Sequence, residues 1–174
     1  MDIATLREQL ASHHEACFGW AAHCCDRDRE EAEEVLQTVY LKILEGRARF
    51  EGRSSLRTWL FAVIRRTAAD ARRRRALRWL RLRPLDRHEQ AAASGADAPA
   101  LEAEQHTILV RALASLPARQ REVLLLVFYH DRTVDEAAEI LGIGAGSART
   151  HYARGKQRLR TLLSPILVTD GART

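Results

Sequence analysis

The chain has 174 residues, 46% of them hydrophobic and 29% charged, with 28 Lys plus Arg against 23 Asp plus Glu. That length holds one ordinary domain or two small ones with modest cores, and the composition excludes a disordered chain. No apolar run is long enough to span a bilayer and the N-terminus has no signal-peptide core, so the expected location is the cytoplasm.

The positive surplus permits a polyanionic partner, and its distribution along the chain is more informative. His13, His14, Cys17, His23, Cys24 and Cys25 crowd together near the start. His13 and Cys17, at i and i+4, share a helix face, and zinc ligands come at such separations. No matching pair recurs downstream, and adjacent thiols rarely ligate one ion. The three cysteines form no complete disulfide framework either. Buried thiols and surface histidines are therefore expected, with no metal and no cofactor. An acidic run, DRDREEAEE (26–34), follows and suits a protein partner.

Val35, Leu36, Val39, Tyr40 and Ile43 make one apolar helical stripe, and Leu56, Trp59, Leu60, Val63 and Ile64 make a second. Trp59 lies on that stripe and reads as core. GRARFEGRSS (46–55), with two glycines and two serines, marks a loop between the helices; Ser54 or Ser55 can cap the second. RRTAADARRRRALRWLRLR (65–83) then carries nine Arg against the single Asp70, a pattern suited to nucleic acid.

HEQAAASGADAPALEAEQ (88–105), Ala-rich and containing Gly95 and Pro99, reads as a linker. Beyond it a helix begins near Pro117, with Val123, Leu124, Val127 and Phe128 as its buried face. Thr133 and Glu136 have capping-box spacing, and Gly142 suits a left-handed cap at the end of VDEAAEIL. Ala137 and Ala138 let another helix cross closely. That helix runs from about Ala145 to Leu163, with Ala148, Tyr152 or Ala153, Leu159 and Leu162 available for packing. A short helix, a glycine turn and a longer basic helix make a helix-turn-helix, in which the second helix meets base edges and its flanks meet phosphates. A phosphate-binding loop is disfavoured because neither the preceding strand nor the Lys-Ser/Thr pair is present. The predicted fold class is all-α, two small helical domains joined by a flexible linker, with GART fraying after Pro165. No nucleophile–base pair stands out, so no catalytic activity and no small-molecule substrate are expected.

Three stretches together resemble the extracytoplasmic-function (ECF) group of bacterial sigma factors. EEAEEVLQTVYLKIL (30–44) looks like the region 2 helix that docks on RNA polymerase. RFEGRSSLRTWLFAVIRRTAADARRRR (49–75) is similar to the loop and helix that hold the melted minus-ten element. LASLPARQREVLLLVFYHDRTVDEAAEILGIGAGSARTHYARGKQRL (113–159) looks like region 4, the reader of the minus-thirty-five element. The resemblance implies region 2 at 1–83, a linker at 84–107 and region 4 at 108–168. It implies core RNA polymerase and promoter DNA as partners, together with an anti-sigma factor that in this family is often membrane-bound and would hold the chain at the inner membrane face.

It also assigns residues. Glu34, Gln37, Thr38 and Leu41 would touch polymerase. Phe50 or Arg53, Ser54 and Ser55 would receive an everted base, while Arg57, Arg65, Arg66, Arg72, Arg73 and Arg74 track the strand. Arg149, Thr150, Tyr152 and Arg154 would read the upstream element, with Lys156 and Arg158 on phosphates. Three positions depart from the family pattern: Arg66 stands where Asn is usual, Ala148 where Val is, and Gly144 where Ser or Pro is. The last two leave the start of the recognition helix open. A helix-turn-helix regulator that does not deliver polymerase is the rival reading, and it leaves the first segment without purpose.

Overall fold

The computed structural model describes the backbone of residues 3–81 and 100–170, and the side chains of residues 5, 7–78 and 107–164. Helices and short turns account for the described residues, without a strand. The chain divides into two compact units, residues 1–92 and 93–174.

The first unit contains α1 (Ile3–Ser12), α2 (His14–Cys24), α3 (Arg29–Leu44) and α4 (Leu56–Arg81). Asp28 caps α3 by accepting from the Glu31 N–H at 3.0 Å, and Glu30 and Glu31 in the first turn complement the helix dipole. Val35, Leu36, Val39 and Ile43 are buried as the stripe requires. Tyr40 stays half-buried, its hydroxyl 3.1 Å from His14 Nδ1. On α4 the sealed face is rotated from the predicted stripe: Thr58, Leu60, Phe61, Ile64, Thr67 and Ala68 are buried, while Leu56, Trp59 and Val63 are only half-buried. The cause is Trp20 of α2, whose ring stacks on Phe61 at 5.8 Å and whose indole N–H donates to the Phe61 carbonyl at 3.0 Å. Trp59 is therefore not core; its ring meets Phe50 at 5.5 Å.

The second unit contains α5 (Ala100–Ala114), α6 (Ala118–Phe128), α7 (Val134–Leu141) and α8 (Ala145–Asp170). α5 begins inside the segment read as linker, so its last residues are helical. Pro117 takes the N-cap position of α6, with φ −52° and ψ 139°. Val123 and Leu124 are buried and Val127 is half-buried, but Phe128 is 60% exposed. It lies at the last turn of α6, beyond the reach of the core, and stacks on Tyr152 at 5.9 Å.

The capping box forms: Glu136 N–H donates to Thr133 Oγ1 at 3.1 Å, and Thr133 N–H donates to Glu136 Oε2 at 2.9 Å. Gly142 closes α7 at φ +61°, a conformation that side chains with a Cβ rarely adopt. The Ile143 N–H reaches back to the Ala138 carbonyl at 3.0 Å, satisfying a carbonyl at the helix end. α8 begins at Ala145 and continues to Asp170, past Pro165 where fraying was expected; residues 171–174 lie outside the described set. Ala148 is fully buried and Leu159 half-buried, whereas Ala153 and Leu162 are exposed. Gly155 brings α8 against α6: a Cβ there would lie 3.1 Å from Leu124 Cδ1 and 3.2 Å from Gln120 Cβ.

Candidate nucleic-acid and polymerase interfaces

In the first unit, Glu34, Gln37, Thr38 and Leu41 follow i, i+3, i+4 and i+7 spacing and so share one face of α3. Glu34, Gln37 and Leu41 are exposed and Thr38 half-buried, with Leu41 exposing 47% of its surface. Glu34 and Thr38 also line an open groove of about 360 Å³ between α3 and α4. Its α3 wall carries Asp28, Glu30 and Glu31, and its α4 wall carries Arg74, Arg75 and Arg78. Arg75 bridges the walls, donating to Glu31 at 2.7 Å. The sequence reading missed Arg75 and Arg78; their i+4 and i+7 spacing from Ala71, a groove residue, is the signal that places them there.

The loop before α4 sorts its candidate residues by availability. Gly52 has φ +73°, which keeps the loop turned. Ser55 is the N-cap: its Oγ accepts from the Thr58 N–H at 3.1 Å, and its hydroxyl bonds Thr58 Oγ1 at 2.8 Å. Ser54 makes only a long 3.4 Å contact to the Ser55 carbonyl, so its hydroxyl retains more capacity for a ligand. Phe50 is half-buried against Trp59. Arg53 is exposed and pairs with Glu51 at 2.9 Å, a surface ion pair that phosphate can displace at small cost.

The arginines of α4 do not form one surface. Arg57 lies over the Phe61 ring at 5.5 Å with its Nε sealed from solvent, a packed rather than a projecting side chain. Arg65 is half-buried. Arg66, Arg72, Arg73 and Arg74 are exposed. Spacing of seven residues puts Arg66 with Arg73 on one face and Arg65 with Arg72 on another, while Arg74 faces the acidic wall of α3.

In the second unit, α8 sends its candidate residues in three directions. Arg149, Tyr152 and Lys156, at i, i+3 and i+7, occupy one flank. Arg149 Nη2 bonds both carboxylate oxygens of Asp135, at 3.0 and 3.3 Å. Tyr152 stacks on Phe128, and the Lys156 ammonium lies 5.9 Å from the centre of the Tyr152 ring. Arg154 and Arg158 take the opposite flank, both exposed. Thr150 points outward between them, with its hydroxyl donating to the Gly146 carbonyl at 2.9 Å. A Cβ at Gly144 or Gly146 would meet nothing within 4 Å, so the start of α8 is open to a large ligand.

The His/Cys stretch is dispersed. The Cys17 thiol is fully buried and pushed up to about 12 by that burial; Cys25 is pushed up to about 12 by burial and then by the charges of Glu31 and Asp28. Neutral thiols make poor ligands and poor nucleophiles. His23 Nδ1–H donates to the Gly19 carbonyl at 2.7 Å. Among the described residues, no three His, Cys, Asp or Glu side chains gather as a metal group.

The Sigma-70 region 2 family model matches residues 10–78, and that of Sigma-70 region 4 matches residues 106–159. The chain is also 31% identical, over 154 residues, to the ECF RNA polymerase sigma factor SigX of Bacillus subtilis (strain 168). That match covers 84% of this chain and 79% of SigX. The chain is an ECF sigma factor.

Sigma factors bind core RNA polymerase and direct it to promoters, and this chain is a transcription initiation factor of that kind. The SigM factor of Mycobacterium tuberculosis (strain H37Rv) is 26% identical over 160 residues, 90% of this chain and 76% of SigM. Among solved structures, RpoE in complex with the anti-sigma factor NepR, from Bartonella quintana, superposes with a TM-score of 0.75 at 24% identity. It covers 93% of this chain and 98% of RpoE. CnrH in complex with the cytosolic domain of CnrY gives a TM-score of 0.60 at 22% identity, covering 91% and 87%. At those identities the likeness speaks to fold. The region 2 match takes in α2, α3 and most of α4, and the region 4 match takes in α6, the helix-turn-helix of α7 and α8 as far as residue 159. No helix among the described residues is long and apolar enough to cross a membrane.

Proposed function

We propose that the two regions of this sigma factor divide promoter recognition by residue as follows. Region 2, within 1–83, docks on polymerase through Glu34, Gln37, Thr38 and Leu41 and takes the non-template strand of the minus-ten element. Ser54 and Arg53 meet the everted base, Ser55 holds the loop to α4, and Arg66 with Arg73 follows the strand. Region 4, within 108–168, reads the minus-thirty-five element with Arg149, Thr150 and Arg154, while Lys156 and Arg158 meet phosphates. Residues 84–107 connect them. The observation that carries this reading is the capped α7–Gly142–α8 unit, which leaves Arg149 and Thr150 exposed near an open helix start and Arg154 exposed further along α8.

The factor works without catalysis of its own, in the cytoplasm. An anti-sigma factor, of the kind seated on RpoE and CnrH, holds it inactive and, where that partner is anchored in the inner membrane, at its cytoplasmic face. The docking assignment predicts that the chain comigrates with core RNA polymerase in gel filtration and that Leu41→Arg, at an exposed position, weakens that association at least about tenfold with unchanged helicity. A wild-type chain that elutes apart from core polymerase would contradict it.

A further inference from the structure

Arg149 and Asp135 stand fourteen residues apart on the two helices of the helix-turn-helix, and their side chains remain 66% and 64% exposed. A pair so exposed adds little to stability, so its geometry matters more than its strength. Asp135 lies in the first turn of α7, where the helix dipole favours a carboxylate whether or not Arg149 is present. With its short side chain Asp135 is the anchor of the pair, and the longer Arg149 is the side chain whose direction it sets. Both Asp135 oxygens engage one nitrogen, Nη2. A guanidinium carries five N–H donors, so the Nη1 hydrogens and the second Nη2 hydrogen remain for another ligand and can offer it a fork. That fork fits guanine O6 and N7, and it fits two phosphate oxygens equally well. The two ligands differ in charge: a phosphate brought to the fork faces the Asp135 carboxylate, whereas a guanine edge is neutral.

We propose that Asp135 is a specificity-determining positioning residue of region 4, aiming Arg149 at a guanine and turning it away from phosphate. This rests on the assignment of α8 to the upstream element. Phosphate contacts carry no sequence information, so an Arg149 released to the backbone adds affinity everywhere and discrimination nowhere.

The test uses the full chain bound to core polymerase. A preferred duplex is recovered from a randomised pool, and each of its base pairs is then substituted singly. Arg149→Ala identifies the pair whose discrimination this residue supplies. At that pair Asp135→Ala and Asp135→Asn both raise affinity for the substituted duplex, reducing discrimination by roughly threefold to tenfold. In the Arg149→Ala background Asp135→Ala has no further effect on discrimination. Equal changes on the preferred and substituted duplexes would overturn the role of Asp135 while leaving the groove assignment intact. If Arg149→Ala itself leaves discrimination unchanged at every pair, the groove assignment fails and this role fails with it.

Discussion

Ser55 Oγ, 3.1 Å from the Thr58 N–H, holds the first turn of α4, while its neighbour Ser54 has only a 3.4 Å contact. Ser55→Ala therefore lowers region 2 stability by about 1 kcal/mol in urea unfolding. Ser54→Ala stays within about 0.5 kcal/mol of wild type and instead reduces permanganate reactivity of the minus-ten thymines in the complex with polymerase. A Ser54→Ala protein that loses as much stability as Ser55→Ala would refute the division. The sequence left the two serines as equals because either hydroxyl fits a cap, and only the backbone path decides between them. Trp59 and Phe61 show the same limit. Periodicity places a stripe to within a residue or two, but the stacking of Trp20, forty-one residues from Phe61, sets its rotation. Phe128 had the right period for burial and lies one turn too far along α6 to receive it.

At the scale of elements, legibility followed local chemistry. α7 was readable because a capping box and a terminal glycine are chosen by nearby residues alone. α2 packs on α1, α3 and α4 and carries little amphipathic contrast, so its pattern gives no face to find. The first residues of α5 resemble a linker because their alanines suggest a featureless segment, although Ala, Leu, Glu and Gln are among the strongest helix formers. Gly155 carries no local signal in the sequence, yet it is the glycine of α8 pressed against a neighbouring helix. The packing predicts that Gly155→Val destabilises region 4 by about 2 kcal/mol, because Gln120 Cβ is fixed to a helix and cannot withdraw. Thermal unfolding followed by circular dichroism measures it; an unchanged or higher midpoint would show that α6 and α8 are less tightly joined.

For the molecule as a whole, family order carries more than any single helix. A basic helix-turn-helix alone is compatible with many regulators, and α3 with α4 alone is compatible with a small helical bundle. The loop RFEGRSS, the acidic and apolar face of α3, and the capped recognition unit occur together in one chain, and that conjunction is what a promoter-directing subunit requires. The proposed division of promoter recognition predicts that a change on α8 alters upstream-element reading and leaves minus-ten recognition by region 2 intact. Promoter-dependent run-off transcription with core polymerase, over promoters selected from a genomic library, tests this most directly. Wild-type protein should produce discrete transcripts, and Arg149→Ala should lose roughly tenfold or more of the signal only where the preferred upstream sequence is present. Absence of transcript from every promoter in the library, with polymerase shown active by another sigma factor, would contradict the account.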